Sequence, residues 1–179
     1  MASLIKTNLP NDFLTNLGAY LQTCAYIELE LAIVLTKVEP KREPSLTSQS
    51  PTNVTRPNKN EQSFPAFRKL AISRLLKRLK DSAKSLPDGL REELLAVCGY
   101  IENNKNHRHL ATHGAFFLDR TTGLLRVNFF PVDGNFQSES ESMQIGPNEI
   151  ETTLDICDQT LRLVIDLRER IDVELARTN

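Results

Sequence analysis

All three histidines of this chain, His107, His109 and His113, fall inside one short window that also holds Arg108 and ends at Gly114. Imidazole moves a proton more readily near neutral pH than other side chains. The planar guanidinium of arginine is the cation best shaped to hold a phosphate. Breaking a phosphodiester of RNA without a metal takes a base for the 2′-hydroxyl proton, an acid for the leaving oxygen and a cation for the crowded phosphate. His113, His109 and Arg108 are residues of those types. On a helix, His109 and His113 lie one turn apart on one face. Arg108 stands five positions before His113, more than a third of a turn away. Its side chain is long, however, and the helix is expected to end at Gly114 in a left-handed conformation. His107 is expected to face solvent.

The pair His109-x-x-x-His113 also has the spacing of half a zinc site. No carboxylate completes it at a recognisable spacing, so neither a metal nor another cofactor is expected.

The elements that must position this window follow from the hydrophobic period. Phe13, Leu14, Leu17, Tyr20, Leu21, Cys24, Ile27, Leu31 and Leu35 recur at steps of three and four, which predicts a helix from about Asp12 to Lys37. From Ile27 onward it is apolar on more than one face, so it sits centrally among other helices. Between Pro40 and Pro65 the composition shifts to Pro, Ser, Thr, Asn, Gln and Lys, which predicts a flexible loop at about residues 40–64. A second helix is expected from about Ala66 to Ser85. A third, opened by Pro87 and Asp88, is expected from about Gly89 to His113. Two apolar runs within about 115–131, either side of Asp119-Arg120-Thr121-Thr122-Gly123, predict a β-hairpin. Pro147 opens a last helix that reaches about Arg177. The fold class is all-α: an up-and-down bundle of four to five helices in a single domain, 1–179, with the small hairpin inserted before the last helix.

The segment Arg108-His109-Leu110-Ala111-Thr112-His113-Gly114 resembles the Arg-polar-x-x-x-His signature of HEPN domains (higher eukaryotes and prokaryotes nucleotide-binding). There a polar residue follows the arginine, near the end of a late helix in an all-α bundle. The first helix, Leu17-Gly18-Ala19-Tyr20-Leu21 through Glu28-Leu29-Glu30-Leu31, also resembles that family's first helix. The resemblance implies a metal-independent endoribonuclease acting as a homodimer, with the motif helices of two copies facing each other across a shared cleft. It implies Arg108 and His113 as catalytic residues and His109 as their polar support. Many such proteins are toxins of toxin–antitoxin or phage-defence systems, which adds an antitoxin or regulatory protein to RNA as an implied partner. Others have lost catalysis and only bind RNA, a nucleotide or a protein. The long loop and the hairpin depart from a minimal HEPN domain.

Bulk composition excludes more than it names. A chain of 179 residues is long enough for one domain with a real core. A net charge of −1 gives no global pull toward RNA or an anionic membrane, so any attraction must come from how charge is distributed. The second helix interleaves Arg68, Lys69, Arg74, Lys77, Arg78, Lys80 and Lys84 with its leucines, against a single acid, Asp81. That pattern is either the solvated face of an amphipathic helix or a track for phosphates. In the second case Arg74, Lys77 and Arg78, with Lys105 beside the histidines, would contact RNA. The acidic last helix is a candidate internal partner that would cancel the track. Phe116, Phe117, Phe129 and Phe130 are either the apolar face of the hairpin or a platform for bases.

Cys24, Cys98 and Cys157 lie far apart in apolar segments and are expected as reduced core thiols of a cytoplasmic protein. The first residues lack the apolar run of a signal peptide, and no segment is expected to be apolar over the length of a bilayer. The sequon Asn53-Val54-Thr55 therefore carries no functional meaning.

Overall fold

The computed structural model describes residues 9–39, 70–129 and 141–178. The loop expected at 40–64, the first turn of the expected second helix at 66–69 and Phe130 lie outside the described residues. The described elements, in chain order, are α1 (Asn11–Val38), α2 (Ile72–Ser82) with a 3-10 turn at Ala83–Ser85, α3 (Asp88–Asn103), α4 (Lys105–His113), β1 (Ala115–Leu118), β2 (Leu125–Phe129), β3 (Glu141–Gln144) and α5 (Pro147–Thr178). The chain is mostly helical with a small antiparallel sheet before its last helix, as the sequence pattern implies.

These elements group into two compact units. One takes the described residues of Met1–Ala25 and Asn103–Gln159, the other those of Tyr26–Glu102 and Thr160–Asn179, so α1 and α5 contribute to both.

The second unit is a helical bundle. Its core is built from Leu31, Val34 and Leu35 of α1, Leu75 and Leu79 of α2, Leu94 and Cys98 of α3, and Val164 and Ile171 of α5, all essentially inaccessible. Full burial of side chains of this size stabilises by about 1.5–3 kcal/mol each. Ion pairs join the helices around this core: Arg78 to Glu39 at 2.5 Å, Lys80 to Glu102 at 2.5 Å, Arg168 to Glu30 at 2.7 Å, and Arg170 to Glu93 and Lys37 to Asp172. The basic residues Arg78 and Lys80 of α2 thus pair with the end of α1 and with α3. The acidic α5, a candidate partner for α2 in the sequence, spends Asp172, Arg168 and Arg170 on α1 and α3 instead.

One expectation is corrected by α1. By length and composition this helix does reach the apolarity of a membrane-crossing segment. Its apolar residues Leu31, Ala32, Val34 and Leu35 are spent on the bundle core, and Glu30 and Lys37 pair with α5. Packing in the bundle core therefore accounts for the apolar residues of its second half.

The first unit departs further from expectation. The helix read as continuous from about Gly89 to His113 is two helices, broken at Asn104, whose φ of −100° and ψ of 7° are not helical. Asn103, Asn104 and Asn106 supply the reason: asparagine amides compete for backbone groups and favour helix ends over interiors. The break gives the histidine window its own nine-residue helix, α4. Gly114 is not left-handed either; its φ of −72° and ψ of 138° are extended. Its glycine is required for space, since a Cβ there would strike the Val127 side chain and stand 2.5 Å from the Leu110 carbonyl oxygen.

The hairpin forms, and a third strand joins it. Strand order is β1-β2-β3, with Phe116 opposite Val127 and Val127 opposite Met143. Those three side chains share one face by the strand period, and Val127 is fully buried. Asp119 Oδ1 closes the β1–β2 turn by accepting from the backbone N–H of Thr121 (2.8 Å) and Thr122 (3.3 Å). Those two donors hold its carboxyl below the usual carboxylate range. Gly123, at φ 69°, supplies the left-handed residue that the turn needs. β3 lies where the sequence shows only a polar stretch.

Candidate functional site

Asn104 and Gly114 bound α4, and both fix where its side chains point. After Gly114 the backbone runs directly into β1, with the Gly114 N–H donating to the Leu110 carbonyl at 2.8 Å. The close approach of Val127 at Gly114 sets the end of α4 against β2, one residue from His113. The Thr112 hydroxyl donates back to the Arg108 carbonyl at 2.8 Å, closing the last turn.

On this helix His109 and His113 come together. Their ring centroids lie 4.9 Å apart with the planes tilted by 47°, within the range of favourable aromatic pairs. His113 is exposed and His109 half-buried, so the pair is open to a ligand from solvent. Arg108 is half-buried and goes elsewhere. Its charge acts on the hydroxyl of Tyr20 on α1, and by helical geometry its Cα–Cβ direction diverges by about 140° from that of His113. Lys105 is exposed at the opposite end of α4, about 12 Å along the axis from His113. Arg74, Lys77 and Arg78 belong to the second unit. The first two are exposed, and Arg78 is held by Glu39 through Nε at 3.1 Å and through its terminal nitrogen.

The sequence did not point to the opposite face of α4. His107, Leu110 and Ala111, spaced as one helical stripe, line a pocket of about 360 Å³. Phe13, Leu17 and Tyr20 of α1, Phe116 of β1, Met143 and Ile145, and Ile150 and Leu154 of α5 complete its apolar wall. Asn16, Asn148, Glu149, Thr152 and Thr153 supply the polar edge. Phe13 and Phe116 pair at 5.1 Å. His107 is therefore not a freely solvated residue: it is half-buried, and its Nδ1 is buried without a hydrogen-bond partner among the described residues. The i, i+3, i+4 spacing of His107, Leu110 and Ala111, set beside that of Phe13, Leu17 and Tyr20, was the signal that could have found this face. Of the phenylalanines, Phe116 is partly buried in this wall while Phe117, on the other face of the sheet, is 38% exposed.

A third feature lies beside Tyr20. Cys24 and Cys157 sit 3.8 Å apart, Sγ to Sγ, in the interior, and the Tyr20 hydroxyl hydrogen-bonds Cys24. Burial first, and then the neighbouring thiols, push the Tyr20 phenol upward, against the pull of Arg108. The Cys157 thiol is also pushed up, first by its hydrogen bond to Cys24 and then by burial. Among the described residues no group of three or more His, Cys, Asp or Glu is placed to hold a metal ion.

No known protein family, curated protein or solved structure matches the chain.

Proposed function

We propose that the protein is a cytoplasmic, HEPN-like, metal-independent endoribonuclease of toxin or phage-defence type that cleaves RNA in a cleft between two copies of the chain. The observation that carries this reading is the solvent-open His109–His113 pair at the C-terminal end of a short, anchored helix. Two imidazoles at this spacing supply an acceptor and a donor of protons to one bound phosphodiester. In this scheme His113 takes the proton of the 2′-hydroxyl, whose oxygen attacks the adjacent phosphorus. The bond to the 5′-oxygen breaks, that leaving oxygen takes a proton from the now protonated imidazole pair, and a 2′,3′-cyclic phosphate results. His109 orients the pair, and Arg108 neutralises the charge that builds on the phosphate.

Arg108 diverges from His113 within one chain, which supports a composite site in which α4 of a second copy faces the first. An antitoxin or other regulatory protein would act by covering that cleft. The test is cleavage of a mixed tRNA and mRNA pool by the purified chain in excess EDTA, beside Arg108→Ala and His113→Ala. Cleavage that both variants lose supports the reading; intact RNA with a folded, dimeric parent removes it.

A second reading, binding without cleavage, is favoured by the pocket on the opposite face of α4. About 360 Å³, walled by Phe13, Tyr20, Phe116 and His107, is within the size of small-ligand sites and offers rings on which a base stacks. Retained RNA or nucleoside binding with no cleavage, lost in Phe116→Ala, would select it.

A further inference from the structure

We propose that Cys24 and Cys157 form an oxidation site, at which peroxide converts two adjacent thiols of α1 and α5 into an intramolecular disulfide. The two sulfurs are already neighbours at 3.8 Å although 133 residues separate them in the chain. A disulfide needs about 2.05 Å, so they have to close by somewhat less than about 2 Å. Both belong to the same compact unit, so closure asks only for a local adjustment there.

Access is built into the same unit. Tyr20 lines the pocket beside α4 and hydrogen-bonds Cys24. A small neutral oxidant that enters the pocket is then one side chain from the first sulfur. Cys24 is also the less buried of the two, at 9% exposure against 5% for Cys157.

The step balances with hydrogen peroxide as the oxidant. The Cys24 sulfur attacks one peroxide oxygen, the O–O bond breaks, and water leaves behind a sulfenic acid. The Cys157 sulfur then attacks the Cys24 sulfur, the S–O bond breaks, and a second water carries away the Cys157 proton. Two electrons pass from the sulfurs to peroxide.

Cys98 provides an internal control. It is fully buried in the second unit, near Lys80 and Glu102, so it belongs to a different unit from the pair.

The reduced full-length chain is treated with hydrogen peroxide, quenched with catalase, denatured and alkylated. One alkylated thiol, Cys98, and a peptide joining Cys24 to Cys157 are expected. The chain has three tyrosines and no tryptophan, so a disulfide beside Tyr20 is also expected to lower the tyrosine emission. The melting temperature should rise by roughly 5–10 °C, because the bond closes a long loop, and a dithiol reductant should reverse every change. Cys98→Ser should behave as the parent does, and Cys24→Ser should give no linked peptide. Three alkylatable thiols after treatment, oxidation of Cys24 that stops short of a linked peptide, or a disulfide to Cys98 would each overturn the proposal. The peptide map of the parent decides the matter even where a variant folds poorly.

Discussion

Along α1, Leu31, Ala32, Val34 and Leu35 in the second unit are wholly inaccessible, whereas Phe13, Tyr20 and Cys24 in the first retain 7%, 8% and 9% of their surface. The two units also differ in what surrounds their buried residues. The second is a close-packed aliphatic core ringed by ion pairs that join neighbouring helices. The first contains a pocket, a buried histidine nitrogen without a hydrogen-bond partner among the described residues, a pair of imidazoles of which one is exposed and one half-buried, and two thiols in contact. One helix thus serves both purposes, with stability drawn from one half and chemistry offered at the other. Unsatisfied polar atoms and empty space cost stability, and the His107 nitrogen and the pocket it lines are placed where a ligand is able to relieve that cost.

The largest effect that tests this contrast is truncation in the bundle core. Leu35→Ala should cost roughly 2–5 kcal/mol by urea denaturation, since it removes fully packed atoms and leaves a cavity. Leu110→Ala, on the pocket wall, should cost about 1 kcal/mol or less, because its inner side already lacks packing partners. Equal losses at the two positions would break the comparison.

Next is Gly114→Ala, where the new methyl group meets Val127 and the Leu110 carbonyl. A loss of roughly 1–3 kcal/mol is expected from overpacking, and adding Val127→Ala should recover only the part due to the side chain. A neutral Gly114→Ala would show that the end of α4 is not anchored as described.

A smaller effect follows from Cys98, whose thiol burial pushes up from the ordinary 9.0 to about 11. The folded protein favours the neutral thiol, so this contribution is fully present below the ordinary thiol value and is lost as pH rises from about 9 through about 11. The melting temperature of the parent should fall across that window more steeply than that of Cys98→Ala. Parallel slopes would show that the thiolate is not excluded from the bundle.

The smallest effect concerns the ion pairs. A double-mutant cycle on Glu30 and Arg168 should give a coupling of about 1 kcal/mol or less, which weakens with salt. A larger coupling would shift credit for stability from the apolar core to the charged ring.

What the sequence disclosed divides along the same line. The helical class, the span of α1, the start of α5 at Pro147 and the hairpin at Asp119–Gly123 were legible, because each rests on a period or a turn residue that acts locally. The break at Asn104 was not, because the apolar stripe continues across it while the asparagines compete with it. β3 was hidden because Glu141-Ser142-Met143-Gln144 holds one apolar residue, and its pairing with β2 is non-local. The helical period placed His109 and His113 on one face, where their rings meet, but gave no sign that the charge of Arg108 acts on Tyr20. The stripe of His107, Leu110 and Ala111 marks one wall of the pocket, but the pocket as a whole and the contact of Cys24 with Cys157 depend on how distant segments pack.

The central claim is that the His109–His113 imidazole pair carries function without carrying the fold. It is tested most directly by measuring RNA cleavage in EDTA and melting temperature together for the parent, His109→Ala and His113→Ala. Cleavage by the parent that is abolished in His113→Ala and weakened in His109→Ala, with melting temperatures close to that of the parent, is the expected result. Cleavage that survives in His113→Ala, or that disappears only as the fold itself is lost, would contradict the claim.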